Sequence, residues 1–389
     1  MPGLGDNIAQ LVRNRRQREA AAGAAPAGTP GLADVQGFGS NPGALRMLAY
    51  VPKGLPPGAP LVVALHGCTQ TAAGYDAGAG WSRMAERHGF AVLLPEQARG
   101  NNPNTCFNWF QSADTTRGSG EAESIRQGIA HMVATHGLDP ARVFITGLSA
   151  GGGMAATMLA AYPEVFAGGA IIAGLPHGAA HSMPEAFEAM GGRRHHSAQE
   201  WGNLVRQASP HRGPWPRIQI WQGDADSTVR PGNAAELVKQ WTDVLELPAA
   251  PSLVDRVDGA AHQAWRGASG QVVLECFMIP GMGHGTPLHP GAADLDESLG
   301  VPAPYMLDAG ISSTCHMARS WGLLTAPAQV RTDAARNEPR PAGQASGQTG
   351  AWPGLGGLLP EIKLPAAARS GGVGEVIEKA LRSAGLIKS

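Results

Sequence analysis

Residues 142–163 read RVFITGLSAGGGMAATMLAAYP. An apolar run, Val143, Phe144 and Ile145, ends at Thr146. Gly147, Leu148, Ser149, Ala150 and Gly151 follow, and then small and apolar residues at helical length. Strand, tight turn, helix is the context in which a G-x-S-x-G pentapeptide raises a nucleophilic serine. Gly147 and Gly151 remove side chains where strand and helix crowd the turn, while Gly152 and Gly153 let the helix approach a sheet closely. The same pentapeptide occurs by chance in glycine-rich β–α turns. The reading therefore depends on partners for Ser149 elsewhere in the chain.

The pattern repeats outward from this stretch. LVVAL (61–65), FAVLL (90–94), GAIIAG (169–174), PRIQIWQG (216–223) and QVVLECFMI (271–279) read as strands, with Pro95 closing the second. GWSRMAERHG (80–89), ESIRQGIAHMVATHG (123–137) and AAELVKQWTDVL (234–245) read as helices. Apolar strands alternating with helices predict an α/β fold, a mostly parallel central sheet with helices on both faces. Ser149 then stands at the carboxyl edge of that sheet, where such folds bind ligands. The helix N-terminus behind it favours developing negative charge.

In this arrangement the acid and then the histidine follow the nucleophile along the chain. RIQIWQGDADSTVRP ends a strand at Gly223, with Asp224 and Asp226 just beyond. Both qualify as the acid. Asp224 is better placed to brace the turn, and Asp226 is favoured because it lies further into the loop. QVVLECFMIPGMGHGTPLHP again ends a strand in a glycine-rich loop, with His284 between Gly283 and Gly285. His284 is the candidate base, taking the Ser149 proton and returning it to the leaving alcohol. His177, His181, His195, His196, His262 and His289 are expected as surface or loop histidines. One oxyanion donor is the N–H of Ala150, and the second comes from the loop after LVVAL, assigned to Cys68. His66 is expected to brace that loop.

At these residues the chain resembles the esterase family of poly(3-hydroxybutyrate) depolymerases, which also includes feruloyl and acetylxylan esterases. The match runs from about residue 36 to 324 through HGCTQ (66–70), PEQ (95–97), NPNTCFNWF (102–110), RGSGEAESI (117–125), GLSAGGGMA (147–155) and GMGHG (281–285). The resemblance implies an α/β-hydrolase fold and a serine carboxylic-ester hydrolase acting through Ser149, Asp226 and His284. It also implies a Cys68–Cys106 disulfide, leaving Cys276 and Cys315 as a second pair or as buried thiols. The implied substrate is poly(3-hydroxybutyrate) or its oligomers, with a plant-wall ester of the feruloyl or acetylxylan type, or a short-chain soluble ester, as the alternative. Trp109 and Phe110 are candidates to line the acyl or alcohol pocket, with core packing as the alternative. Trp221, Trp265 and Trp321 are weaker ones.

The bulk numbers set bounds on the rest. The 389 residues suffice for one large domain with tails, and 54 glycines and 31 prolines are above the usual share. Residues 1–40 are expected as a peripheral arm and 41–324 as the catalytic domain. A Pro/Gly-rich linker is expected over 325–370 and a short helix over 371–389. A net charge of -1 gives no electrostatic reason to expect nucleic acid. No apolar run of about 18 residues predicts a membrane span. There is no HExxH, and His195-His196 lacks a carboxylate at ligand spacing, so neither a metal nor a cofactor is expected. Two signals oppose each other on compartment. The family and the cysteines suggest secretion, whereas no apolar h-region follows the first arginines. A peptidase ranks below an esterase, since no amine-anchoring acidic pair is evident. A non-catalytic binding protein of this fold would be expected to lack a triad member.

Overall fold

The computed structural model describes residues 31–324. The expected linker, the C-terminal helix and most of the N-terminal arm lie outside the described residues. The sheet is built from β1 (Ala33–Asp34), β2 (Arg46–Tyr50), β3 (Leu61–Leu65), β4 (Ala91–Glu96), β5 (Val143–Leu148), β6 (Gly168–Ile172), β7 (Arg217–Gly223), β8 (Leu253–Val257), β9 (Ala260–Arg266) and β10 (Val272–Ile279). Its spatial order is β1-β2-β4-β3-β5-β6-β7-β10-β9-β8. The run from β4 to β10 is parallel throughout. The pairs at both edges are antiparallel. A small parallel pair, β11 (Thr286–Leu288) and β12 (Met306–Asp308), lies apart.

The helices are α1 (Ala72–Ala79), α2 (Trp81–His88), α3 (Ser112–Thr115), α4 (Gly120–His136), α5 (Ala150–Ala161), α6 (Met183–Met190), α7 (Ala198–Ala208), α8 (Gly232–Val244) and α9 (Ser313–Ser320). Side chains alternate across a strand, so LVVAL feeds two cores. Leu61, Val63 and Leu65 pack with residues of α4, α5 and α8. Val62 and Ala64 pack with residues of α1, α2 and α9. All five are fully buried, as parallel strands covered on both faces require.

Several expectations need correction. Pro95 lies inside β4, paired with Met47 of β2, rather than ending the strand. The ladder from β4 to β3 has already stopped at Leu93, so the missing N–H is tolerated. Residues 33–34 of the expected arm are an edge strand of the sheet. Cys276 and Cys315 form no bridge; both are buried free thiols. Cys276 faces the α4, α5 and α8 core and Cys315 the α1, α2 and α9 core, so the sheet separates them. Burial pushes both thiols up to about 12. Trp221, Trp265 and Trp321 are core residues: Trp221 stacks on Phe277 at 3.9 Å, and Trp321 on Phe144 at 5.0 Å.

His262 is a strand residue on β9, not a loop histidine. Its Nδ1 meets Asp255 of β8 at 2.7 Å and its Nε2 meets Glu275 of β10 at 3.2 Å. The ring thus clamps three strands. Burial works against its charge, but the bonds to Glu275 and Asp255 outweigh burial and raise its pKa above the ordinary 6.5. A raised folded-state pKa stabilises fully below the unfolded value, and that stabilisation is lost as pH rises through the folded one. His262→Gln is therefore expected to lose more unfolding free energy at pH 5.5 than at pH 9. Denaturant titration checks this; an equal loss at both pH values counts against the clamp.

Candidate active site

The turn after β5 puts Ser149 at φ 58 and ψ -117, a backbone conformation rarely adopted by a side-chain-bearing residue. Such a residue stores about 1–3 kcal/mol of strain, held by its surroundings. Here the Ser149 N–H donates to the Ile172 carbonyl at the end of β6 (2.9 Å). A Cβ on Gly147 would lie 2.2 Å from the Gly151 carbonyl oxygen. A Cβ on Gly151 would lie 2.5 Å from the carbonyl oxygens of both Leu65 and His66. Only glycine permits strand, turn and helix to approach this closely. Trp109 lies against Gly153 in the same way, its ring 2.8 Å from where a Cβ would stand.

The same edge carries the other two candidates. Ala173 donates to the Trp221 carbonyl on β7 (2.8 Å), Asp224 to the Ile279 carbonyl on β10 (3.1 Å) and Ala225 to the Met282 carbonyl (3.1 Å). Backbone hydrogen bonds thus link the ends of β5, β6, β7 and β10 in order. Asp226 follows β7 and His284 follows β10. The structure brings them together: His284 Nδ1 lies 2.7 Å from Asp226 Oδ2. Asp224 braces the turn, accepting from the Gly281 N–H at 2.6 Å.

Asp226 is 1% exposed, yet its acceptors are satisfied. Oδ1 accepts from the N–H groups of Thr228 (2.8 Å) and Val229 (2.9 Å), and Oδ2 from Gln222 Nε2 (3.1 Å) as well as the ring. An ionised carboxylate survives burial only when bonded in this way. Ser149 is 8% exposed, and among the described residues its Oγ has no hydrogen-bond partner.

Ala150 is the first residue of α5, so its N–H belongs to the first turn, which has no intrahelical acceptor. Cys68 lies in the loop after β3 and is joined to Cys106 by the expected disulfide. His66 braces that loop. It is fully buried, its Nδ1 lies 2.8 Å from the Gly67 carbonyl oxygen, and its Nε2 accepts from the Gln97 N–H (3.1 Å). Desolvation lowers its pKa, against the opposing Gly67 bond, so the ring is neutral.

Trp109 and Phe110 are both buried and meet edge-on, 5.6 Å apart, in an apolar cluster with Ala150, Leu175 and Val229. They pack beside the serine's helix. His177, expected as a surface or loop histidine, lies between Thr157 of α5 and Gln240 of α8. Desolvation, with a smaller push from His181, lowers its pKa to about 4. Sequence reasoning also missed Gln97 and Glu121, two buried polar residues behind the Cys68–Cys106 loops. The blocks PEQ and RGSGEAESI contained them, but nothing in their spacing gave them a role. Asp258, Glu297 and His316 bring donor atoms within 4.8 Å of one another. His316 is bonded to Asp258 (2.8 Å) and Glu297 is paired with His289 and Arg319, an ion-pair network in its own right.

The family profile described as esterase PHB depolymerase matches residues 47–250. A poly(3-hydroxyalkanoate) depolymerase C of Paucimonas lemoignei is 46% identical over 294 residues, 75% of this chain and 70% of the relative. An acetylxylan esterase of Coprinopsis cinerea is 34% identical over 67% of this chain and 70% of its own length. Among solved structures, an acetyl xylan esterase from Aspergillus awamori superposes with a TM-score of 0.61 at 28% identity, covering 66% of this chain and 94% of that one.

The elbow yields a paired test. Gly151→Ala is expected to cost about 1–3 kcal/mol of stability by overpacking and to lower esterase activity. Gly283→Ala, beside the histidine, meets nothing within 4 Å and is expected to stay within about 0.5 kcal/mol of the parent. Thermal denaturation compares them; equal effects would contradict the close-approach account.

Proposed function

We propose a mechanism and a substrate class from one premise: the chain belongs to the esterase PHB depolymerase family. It is a carboxylic-ester hydrolase of the α/β-hydrolase fold. The observation that carries the mechanism is the buried His284–Asp226 contact at 2.7 Å, on the same sheet edge as the strained turn of Ser149. In the reaction Ser149 Oγ attacks the ester carbonyl while His284 takes its proton through Nε2. The N–H groups of Cys68 and Ala150 receive the developing oxyanion. Collapse of the tetrahedral intermediate breaks the bond to the alcohol, which leaves with the proton from His284. Water then repeats the sequence on the acyl-enzyme, and Ser149 recovers its hydrogen.

Asp226 holds the imidazole with Nδ1–H directed at its carboxylate, which leaves Nε2 free to accept. Its other bonds, to Gln222, Thr228 and Val229, fix the carboxylate in turn. Asp226 keeps its charge and stabilises the imidazolium. Trp109 and Phe110 form an apolar wall beside the acyl group.

The substrate class is an ester of a short 3-hydroxy acid, as polymer or oligomer. Identity of 46% to the depolymerase of Paucimonas lemoignei supports it. The second reading is a plant-wall ester, favoured by the superposition on the Aspergillus awamori enzyme. A panel of 3-hydroxybutyrate oligomers, polymer film, acetylated xylan and feruloyl esters separates the two. Turnover of oligomers without feruloyl or xylan turnover supports the first reading, and the reverse supports the second.

Two variants test the machinery on a soluble aryl ester. Ser149→Ala is expected to lower kcat by roughly 10⁶-fold. Asp226→Asn is expected to lower it by roughly 10⁴-fold, with the wrong tautomer held in place. Near-parental activity in Asp226→Asn would remove Asp226 from the mechanism.

A further inference from the structure

Glu121 is buried at the start of α4, 1% exposed, and the proposed triad has no use for it. One carboxylate oxygen accepts from Gln97 Nε2 and the other from the Asn108 backbone N–H (2.8 Å). Gln97 Nε2 also donates to the Cys106 carbonyl (3.0 Å), and the Gln97 backbone N–H donates to His66 Nε2 (3.1 Å). The Gln97 amide cannot turn over. Its oxygen accepts from the Ala98 N–H and from Asn101 Nδ2, both at 2.9 Å. The loop from Asn102 to Phe110 is therefore held by the Glu121 carboxylate and the Gln97 side-chain amide, and the loop that begins at His66 meets the backbone of the same Gln97 through the His66 ring. They are joined again by the Cys68–Cys106 bridge and by the Thr69 N–H, which donates to the Asn104 carbonyl at 2.7 Å.

We propose that Glu121, acting through Gln97 and the Cys106 segment, is a positioning residue that sets the place of the Cys68 N–H in the oxyanion hole. The inference rests on the ester-hydrolase mechanism above. Oxyanion donors act only within about 2.7–3.1 Å of the oxygen they stabilise. Cys68 belongs to no helix or strand, so its place is fixed by bonds of this kind. Burial, with Asp114 adding to it, raises the Glu121 carboxyl to about 8 in spite of the bonds it accepts from Asn108 and Gln97. Holding two loops in register is a role that an apolar side chain could not fill.

Glu121→Gln tests this. The carboxamide turns an N–H₂ toward a donor, either Gln97 Nε2 or the Asn108 N–H. Reactive sites are first counted with an organophosphonate taken to completion, which corrects for any unfolded fraction. On p-nitrophenyl butyrate, kcat per site is expected to fall tenfold or more, with KM within twofold of the parent. An alkyl trifluoromethyl ketone adds to Ser149 Oγ as a tetrahedral oxyanion, so its Ki is expected to rise by the factor that kcat falls. Gln97→Met removes the amide bonds and keeps the N–H to His66. It is expected to show the same signature, and it decides the matter alone where Glu121→Gln does not fold. The proposal is overturned when kcat per site stays within twofold, or when kcat falls with Ki unchanged. Wild-type protein that hydrolyses no ester and takes no phosphonate defeats the mechanism itself. An active wild type with an indifferent Glu121→Gln defeats only this inference.

Discussion

The structure depends on how the parallel strands end. β5, β6, β7 and β10 are neighbours, and the residues just past their carboxyl ends are tied by successive backbone hydrogen bonds. That ladder carries the order of the sheet into its loops. It places a serine, an aspartate and a histidine from distant parts of the chain on one edge. The cost is local: a residue at positive φ and helix-to-strand contacts that admit no side chain at Gly147 or Gly151. Two cores, one on each face, hold the sheet rigid enough to bear that strain.

The buried carboxylate and the two buried or half-buried rings near this edge share one feature: each is hydrogen-bonded. Asp226 is satisfied by two backbone N–H groups, an amide and the His284 ring. His66 is kept neutral by desolvation, so it donates and accepts without adding a positive charge beside the serine. The low dielectric that makes unpaired groups costly also strengthens the bonds that remain. Fixed dipoles in such a site need no reorganisation when charge develops on the substrate. Asp224, two residues before Asp226, shows the division of labour: one acid braces the turn and the other faces the ring.

The parallel centre was legible in the sequence chiefly because β3, β4, β5 and β6 are buried on both faces and read as largely apolar runs. LVVAL, RVFIT and QVVLECFMI needed no partner to be recognised. The antiparallel edges were not legible: β1 and β8 bury little, and β2 buries only the short run Met47–Ala49. β8 is exposed along nearly its whole length, and the inward positions of β9 are filled largely by alanine and histidine. The hairpin between them did leave a mark, Asp258-Gly259, both at positive φ as its tight turn requires. α7 left another in Ser197 and Glu200, a capping box inside a stretch that reads as irregular. At the candidate site, order along the chain and loop glycines sufficed to name Asp226 and His284, a pair that the structure brings to 2.7 Å. The second cysteine pair failed because residue counts say nothing about which face of a sheet a thiol occupies. Glu121 and Gln97 were invisible for a related reason: their bonds run to backbone groups of other segments, and no spacing encodes that.

The central claim is that Ser149 is the nucleophile of an acyl-enzyme. Its most direct test is intact-protein and peptide mass spectrometry after a brief reaction of native protein with a fluorophosphonate. The account predicts one added phosphonyl group per chain, located on Ser149 and absent when the protein is denatured before labelling. A native protein that takes no label, or takes it on a residue other than Ser149, would contradict it.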